Sequence, residues 1–405
     1  MKFASAFSTG RQAAEIVRSL RQQIVSQLSE PDLIIVFCAA TLRDEFPEMI
    51  ERLHLAFSNV VLLGAIAESI VTSEREFERE AAVSAIAARL PNVDLHAFHL
   101  DDEWQELIDE PDALHRAIGA ASDLRGVMLI GDPFTSPIVQ LLERFGNVFP
   151  EAPVFGGMVS GISAVGEALI AVGDSIHRGG IGGIAFSGDV QIDCVVSQGC
   201  RPIGQSHVIT KCERNVIYEL GGAPSFQTIE LMVEQLSAAD RQLVQQNGLQ
   251  VGMVIDEGKG DYGRGDFVIR TIIDLQRESG ALAVADRVTA GQTIQFHVRD
   301  AASATEDMKL LLEGELQLAD MPAGAILFTC TGRGTRMFHA PSHDVTVTRA
   351  VLTDVPLAGM FCAGELGPVN GRNFIHGHTA SFALFRPTEP PLPLDHEESD
   401  DAAGD

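Results

Sequence analysis

The sequence predicts an α/β fold of two related halves, with mixed parallel and antiparallel sheets and helices packed on them. Three observations carry this expectation. Short, wholly apolar runs such as Asp32 to Cys38 have the composition of strands buried on both faces. Segments with apolar residues at helical spacing stand between them. Glu68, Phe77 and Ser84 are echoed at identical intervals by Glu365, Phe374 and Ser381, and both glutamates follow runs of small residues, Gly64 to Ala67 and Gly359 to Gly364.

In chain order, Thr9-Gly10-Arg11-Gln12 fits a capping box. Ala13, Ile16, Val17, Leu20, Ile24 and Leu28 then mark one helical face, so a helix is expected to open the chain. After the strand at 32–38 come a helix over 44–57 and strands at 60–64, 81–88 and 95–100. A helix over 103–119, a strand at 126–130, a helix over 136–145 and a strand at 154–158 continue the alternation. From Ala168 to Val196 three strand-like runs follow one another across Gly-Gly and Ser-Gly-Asp turns, which predicts antiparallel hairpins. Gly221-Gly222 precedes helical segments at 225–236 and 238–246, and the domain boundary is placed there. Strands are expected at 251–255, 267–273, 293–298, 325–330 and 357–362. Met308, Leu311, Leu312 and Leu316 mark a helix over 301–318, with Asp300 positioned as its N-cap. The Pro- and acid-rich stretch after Arg386 is expected to be a disordered tail.

With 405 residues, 45% of them hydrophobic, the chain can bury a large core. Its 56 acids against 29 bases give a net charge of -27, which repels both phosphate backbones and anionic headgroups, so neither nucleic acid nor membrane is expected as a partner. The N-terminus has no signal-peptide core and no apolar run is long enough to span a bilayer, which implies a cytoplasmic location. Six cysteines without CxxC spacing read as reduced core thiols.

The chemistry-bearing stretch runs from Cys330 to Arg386. Gly364 to Phe374 packs Gly, Pro and Asn around Glu365, Asn370, Arg372 and Asn373, groups suited to orienting a small polar ligand at a tight turn. The alternative is a structural β-turn with an internal Glu365–Arg372 ion pair. Cys330-Thr331-Gly332-Arg333-Gly334 follows a strand and would let Arg333 and backbone N–H groups converge on an anion, or would be a loop with solvated arginines. Arg299, at a strand end, joins the candidates.

Other chemistries lack support. The glycine patterns at 258–263 and 180–185 precede strands or lie within them, so no helix N-terminus would face a dinucleotide's phosphates. No GxSxG elbow is present, since the sequence around Ser160 lacks that spacing. His376-Gly377-His378 with Glu365 is a weak metal pattern, so no metal or other cofactor is expected. Remaining alternatives are an enzyme using Glu365 or His376 and a structural adaptor without ligand.

Phe361 to Ser381 resembles the FIST family of sensory and signal-transduction domains. The resemblance extends to Gln198-Gly199-Cys200-Arg201-Pro202-Ile203-Gly204, Tyr218 to Gly222, Gly265 to Arg270, Phe296 to Asp300 and Cys330 to Gly334, covering about Asp32 to Arg386. It departs from the family's Gly/Cys/Ser-rich turn at Gly64-Ala65-Ile66-Ala67-Glu68-Ser69. The resemblance implies an N-terminal helical segment (1–31), a FIST N-terminal domain (32–220), a FIST C-terminal domain (221–386) and the tail (387–405). It also implies a non-enzymatic sensor of a small polar ligand, an amino acid among the candidates. That sensor would signal through a separate, unidentified protein, because no kinase, cyclase, methyl-accepting or F-box segment accompanies the domains. The ligand-binding residues would be Arg299, Arg333, Glu365, Asn370, Arg372 and Asn373.

Overall fold

The computed structural model of the protein describes residues 1–101, 104–110 and 112–388, so all but the first two residues of the expected tail lie outside the described residues. The fold is α/β, and one strand–helix arrangement recurs three times along the chain.

The first unit comprises β1 (Lys2–Ser8), α1 (Ala13–Gln27), β2 (Leu33–Ala39), α2 (Phe46–Ala56), β3 (Val61–Ala67), the hairpin β4 (Ser69–Val71) and β5 (Glu76–Glu78), and β6 (Val83–Arg89). The second repeats this with β7 (Val93–Leu100), α3 (Trp104–Asp109), α4 (Ala113–Ala117), β8 (Leu124–Gly131), α5 (Ile138–Val148), β9 (Val154–Met158), the hairpin β10 (Ile170–Val172) and β11 (Ser175–His177), and β12 (Ile181–Gly188). The third starts with β13 (Gln191–Gln198) and is interrupted by an insertion: β14 (Cys200–Glu213), β15 (Val216–Leu220), β16 (Ala223–Pro224), α6 (Ser225–Gln235), α7 (Ala238–Asn247), β17 (Leu249–Val254), β18 (Phe267–Leu275), β19 (Leu282–Val284) and β20 (Thr293–Arg299). It resumes with α8 (Ala301–Leu318), β21 (Gly324–Cys330), α9 (His343–Leu352), β22 (Leu357–Cys362), the hairpin β23 (Glu365–Val369) and β24 (Arg372–His376), and β25 (Thr379–Arg386).

Each unit builds four strands of a six-stranded sheet, and the other two come from another unit's hairpin. The orders are β1-β6-β2-β3-β10-β11, β7-β12-β8-β9-β23-β24 and β13-β25-β21-β22-β4-β5. The hairpins are thus exchanged cyclically, which explains why the runs over 168–196 do not pair in sequence as expected. Only β10–β11 is a local hairpin, while β12 pairs with β7 and β8 and β13 pairs with β25. Ser160 of the second unit stands at the junction of all three: its Oγ accepts from Glu68 N at 2.8 Å and donates to the Phe361 carbonyl at 2.5 Å.

In each unit the central parallel pair is apolar on both faces, as the sequence runs require. On β8, Met128 and Ile130 face a core shared by the three sheets, while Val127 and Leu129 pack under the helices of their own unit. On β21, Ile326 and Phe328 face the shared core and Ala325 and Leu327 face the helices. Phe37 meets Phe328 edge-on at 6.0 Å and Phe155 meets Phe385 at 6.0 Å, tying sheet to sheet.

The internal echo is therefore observed, and it extends to a third copy. Gly64, Gly156 and Gly359 sit opposite Val36, Leu129 and Leu327 in the three parallel pairs, and Ser84 and Ser381 sit opposite Phe37 and Phe328. The glutamates are not equivalent. Glu365 pairs with Gly157 as Ile70 pairs with Met360, so the third hairpin enters its sheet two residues earlier than the spacing suggests.

The insertion closes on itself. Strands β14, β20, β17, β18, β19 and β15 form an antiparallel ring, because the long β14 pairs with β20 along its first half and with β15 along its second, shifting register past Gly204. Ile209, Leu220, Val251, Leu282, Ile294 and Phe296 fill it.

Three further expectations change. A strand, β1, precedes the first helix; its Ala- and Ser-rich sequence has weak strand propensity, and as an edge strand it pairs with β6 while Gln23 and Gln27 of α1 bond the Phe7 and Ser5 carbonyls. The capping box does not form either, since Gln12 is the N-cap and makes no side-chain cap bond. Two short helices, α3 and α4, replace the single helix expected over 103–119. Asp300 caps α8 as expected, accepting from Ala302 N and Ser303 N at 3.1 and 3.2 Å.

Candidate functional site

The structure separates the six sequence-predicted residues into two groups. Arg299, Arg333 and Glu365 belong to a buried polar cluster at the C-terminal ends of β21 and β22, while Asn370, Arg372 and Asn373 lie at the tip of the β23–β24 hairpin.

In the cluster, Arg333 is fully buried and donates to both oxygens of Asp344, Nε to Oδ2 at 2.9 Å and Nη2 to Oδ1 at 2.7 Å. The anion that meets Arg333 is thus internal to the protein. Asp344 also accepts from Thr329 Oγ1 at 2.7 Å, and the Phe338 ring lies 5.1 Å from the guanidinium carbon. Arg299 Nη2 donates to the Gly332 carbonyl at 2.6 Å. Glu365 accepts from the Thr379 hydroxyl at 2.8 Å and backbone N–H at 3.2 Å, and the Cys330 thiol lies against its carboxyl. The Glu365–Arg372 ion pair does not form among the described residues. The hairpin register sets Glu365 opposite His376 and Arg372 opposite Val369, at the two ends of the ladder.

Burial dominates the proton affinities here. It raises Glu365 to about 8 and Cys330 to about 12, and it raises Glu76, beside Asp344, to about 8. It lowers His297, His376 and His378 to about 4 each, with the Arg299 and Arg333 charges adding to the effect at His378. These shifts predict a stability optimum. The two glutamates contribute fully below their ordinary value of 4.5, and that contribution is lost as pH rises through about 8. The histidines contribute fully above 6.5, and theirs is lost as pH falls through about 4. Below about pH 6.5 three histidines outweigh two carboxyls, and above it only the carboxyls titrate. Thermal unfolding is therefore expected to show its highest Tm near pH 6.5, with the alkaline limb flattened in Glu365→Gln. A Tm that climbs steadily from pH 6.5 to 9 would contradict this assignment.

The hairpin group lines open space. Asn370 and Gly371, at φ +50° and +72°, make the two-residue turn that Asn-Gly favours. Asn370 hydrogen-bonds Asp266, and Asn373 Oδ1 accepts from Val154 N at 2.9 Å. Arg372 and Phe374 lie where the hairpin, helix α5 and the inserted barrel meet, between two adjoining cavities of about 590 and 540 Å³. These sizes suit small molecules. Both cavities share Val139, Arg270, Arg372 and Phe374. The first is walled by Met253, Val254 and Val268, with Glu257 and Asp286. The second is walled by Leu142, Gly146, Pro150 and Ile375. Asn370 and Asn373 line a third cavity of about 380 Å³ beside Asp193 and Glu315.

Within the groove Arg270 is neutralised, its Nε bonded to Asp286 at 2.5 Å while Nη1 reaches across to the Ile375 carbonyl at 2.9 Å. Arg372 is different. It is exposed, touches the Ile255 carbonyl at 3.4 Å, and meets no carboxylate among the described residues.

Family comparison agrees with this chain's motifs over most of its length. The FIST N domain model matches residues 32–223 and the FIST C domain model residues 229–368. The chain belongs to the FIST family. FIST domains are linked to small-ligand sensing in signal transduction and form a sensory rather than an enzyme family. A Mycobacterium tuberculosis protein described as uncharacterized is 35% identical over 379 residues, spanning 93% of this chain and 96% of its own length. A Mycobacterium bovis protein, also described as uncharacterized, is 37% identical over 380 residues, spanning 93% and 95%. The two FIST matches meet between residues 223 and 229, inside the inserted barrel, so each contributes to it.

Sequence reasoning missed Val139, Gly146, Glu257 and Asp286, and met Arg270 only as the end of the Gly265 to Arg270 match without assigning it to the site. They come from α5 and from separate barrel segments, and only the exchanged hairpin brings them beside Arg372. No local pattern marks them. Among the described residues, no helix is long and apolar enough to cross a membrane.

Proposed function

We propose that this FIST protein is a sensory module that binds a small, amino-acid-like ligand in the groove between the inserted barrel and the β23–β24 hairpin, and signals through a separate protein. The observation that carries the reading is the groove itself: two adjoining cavities of ligand size, with a guanidinium at Arg372 that pairs with no carboxylate among the described residues and a carboxylate at Glu257. A ligand carboxylate would meet Arg372, and an ammonium would meet Glu257, since Asp286 is already engaged by Arg270. The barrel joins the rest of the chain through only two crossings, before Cys200 and after Arg299, so a ligand held between barrel and hairpin is placed to bias their relative position.

A thermal-shift screen of amino acids and related carboxylates is the test. A binder present at about a hundredfold excess over its Kd should add about 2.7 kcal/mol of stability, and Arg372→Ala should abolish the shift. A screen without a shift, or a shift unchanged in Arg372→Ala, overturns the reading.

The catalytic alternative would use Glu365 or His376, but burial raises the glutamate to about 8 and lowers the histidine to about 4, which disfavours a carboxylate base and an imidazolium acid near neutral pH.

A further inference from the structure

The lining of the groove specifies a ligand class. At the waist between its two lobes, Arg372 brings a positive charge that no described carboxylate balances, whereas Arg270, its neighbour, is already paired with Asp286. A ligand anion at Arg372 would complete that charge pair with bonds a guanidinium forms well.

The second lobe, like the first, combines apolar walls with polar groups at its rim. Val139, Leu142, Pro150, Phe374 and Ile375 line it, with Glu143 and Asn147 exposed and the Asn373 amide oxygen already engaged by Val154 N. Val139 sits at the waist and is 48% exposed, an apolar side chain left in water on a helix whose Ile138, Leu141, Leu142 and Phe145 are buried. Burying it against an apolar group is favourable.

Gly146 adds an independent observation. It lies inside α5, where glycine weakens a helix relative to alanine. A side chain there would meet nothing within 4 Å, so no packing constraint within the protein requires glycine. What its absent side chain leaves is room in the second lobe.

We propose that the groove's ligand is a monocarboxylate with an apolar tail, its carboxylate held by Arg372 and its tail seated in the second lobe beside Gly146. This rests on the groove being the ligand site; it keeps the carboxylate at Arg372 and specifies an apolar tail in place of the ammonium. A purely polar amino acid would leave the lobe's apolar walls wet, while a neutral apolar molecule would leave Arg372 without its counter-charge. An aliphatic or aromatic acid satisfies both.

Isothermal titration of the full chain with octanoate, 4-phenylbutyrate, their primary amides and serine tests the class. The acids should bind, with the amides about tenfold weaker, and Arg372→Gln should erase that difference. Gly146→Leu fills the lobe and should abolish binding of both acids. Because the position faces open space inside a helix, its Tm should be no lower than that of the unaltered protein and its circular dichroism unchanged, which separates loss of the lobe from loss of the fold. If serine binds as well as the acids in an Arg372-dependent way, or if Gly146→Leu leaves the acids' affinity unchanged, the class is overturned while the groove reading stands. If no probe binds, or binding ignores Arg372, both fall.

Discussion

Arg333→Ala is expected to destabilise the protein by about 3–5 kcal/mol in urea unfolding, because it strands a buried charge. Asp344 is as deeply buried as Arg333, and both of its oxygens bond that guanidinium. The Arg333 charge keeps the Asp344 carboxyl well below the usual carboxylate range even though burial alone would raise it. The damage should spread, since Asp344 stands in the first turn of α9 and Glu76 of the exchanged β5 accepts from the next backbone N–H, that of Val345, at 2.9 Å. One ion pair therefore fixes the loop after β21, the start of α9 and the first unit's hairpin together. The double replacement Arg333→Met with Asp344→Leu should cost less than Arg333→Ala alone, because it leaves no unpaired charge. A loss below about 1 kcal/mol in the single variant, the range of an exposed pair, would contradict this account.

Gly359→Ala should be at least as damaging, by roughly 4 kcal/mol or more, the range reserved for severe core defects. A side chain at 359 would collide with the Leu327 carbonyl oxygen on the neighbouring parallel strand. That oxygen belongs to the backbone of a central strand and cannot swing aside as a side-chain tip can. Gly156, its counterpart in the second unit, would collide with the Leu129 carbonyl and also has φ +138°, a conformation that side chains rarely adopt. Gly64 is the milder case, because its nearest atoms lie at 3.3 Å, Ile50 Cδ1 and the Val36 carbonyl. The expected order of soluble yield and Tm is therefore Gly64→Ala above Gly359→Ala and Gly156→Ala. Equal behaviour of all three would argue that the close strand approach in the second and third units is not required.

The parallel pairs of all three units were legible in the sequence because strands buried on both faces read as continuous apolar runs, and the helices between them carry periodic faces. The echo of Ser84 at Ser381 gave a true repeat, with both serines paired to a phenylalanine of the central strand. Two things were not legible. The cyclic exchange of hairpins depends on pairings between distant residues, such as Glu365 with Gly157, that no local pattern encodes. The groove is hidden for the same reason, since Arg372 acquires Val139 and Arg270 as neighbours only after the exchange. Arg333 stood out correctly as an unusual residue, but its partner lay eleven residues downstream on a helix face that proves to be buried, and residue chemistry alone could not tell an internal anion from a ligand.

The most direct test of the central claim, that the groove holds the ligand, is hydrogen exchange measured with and without the carboxylate that gives the largest thermal shift. Slowed exchange is expected in α5, in β17 and β18, and in the β23–β24 hairpin, with little change near Cys330 and His378. Protection centred on the loop after β21, with α5 and the hairpin unaffected, would place the ligand in the buried cluster and contradict that claim.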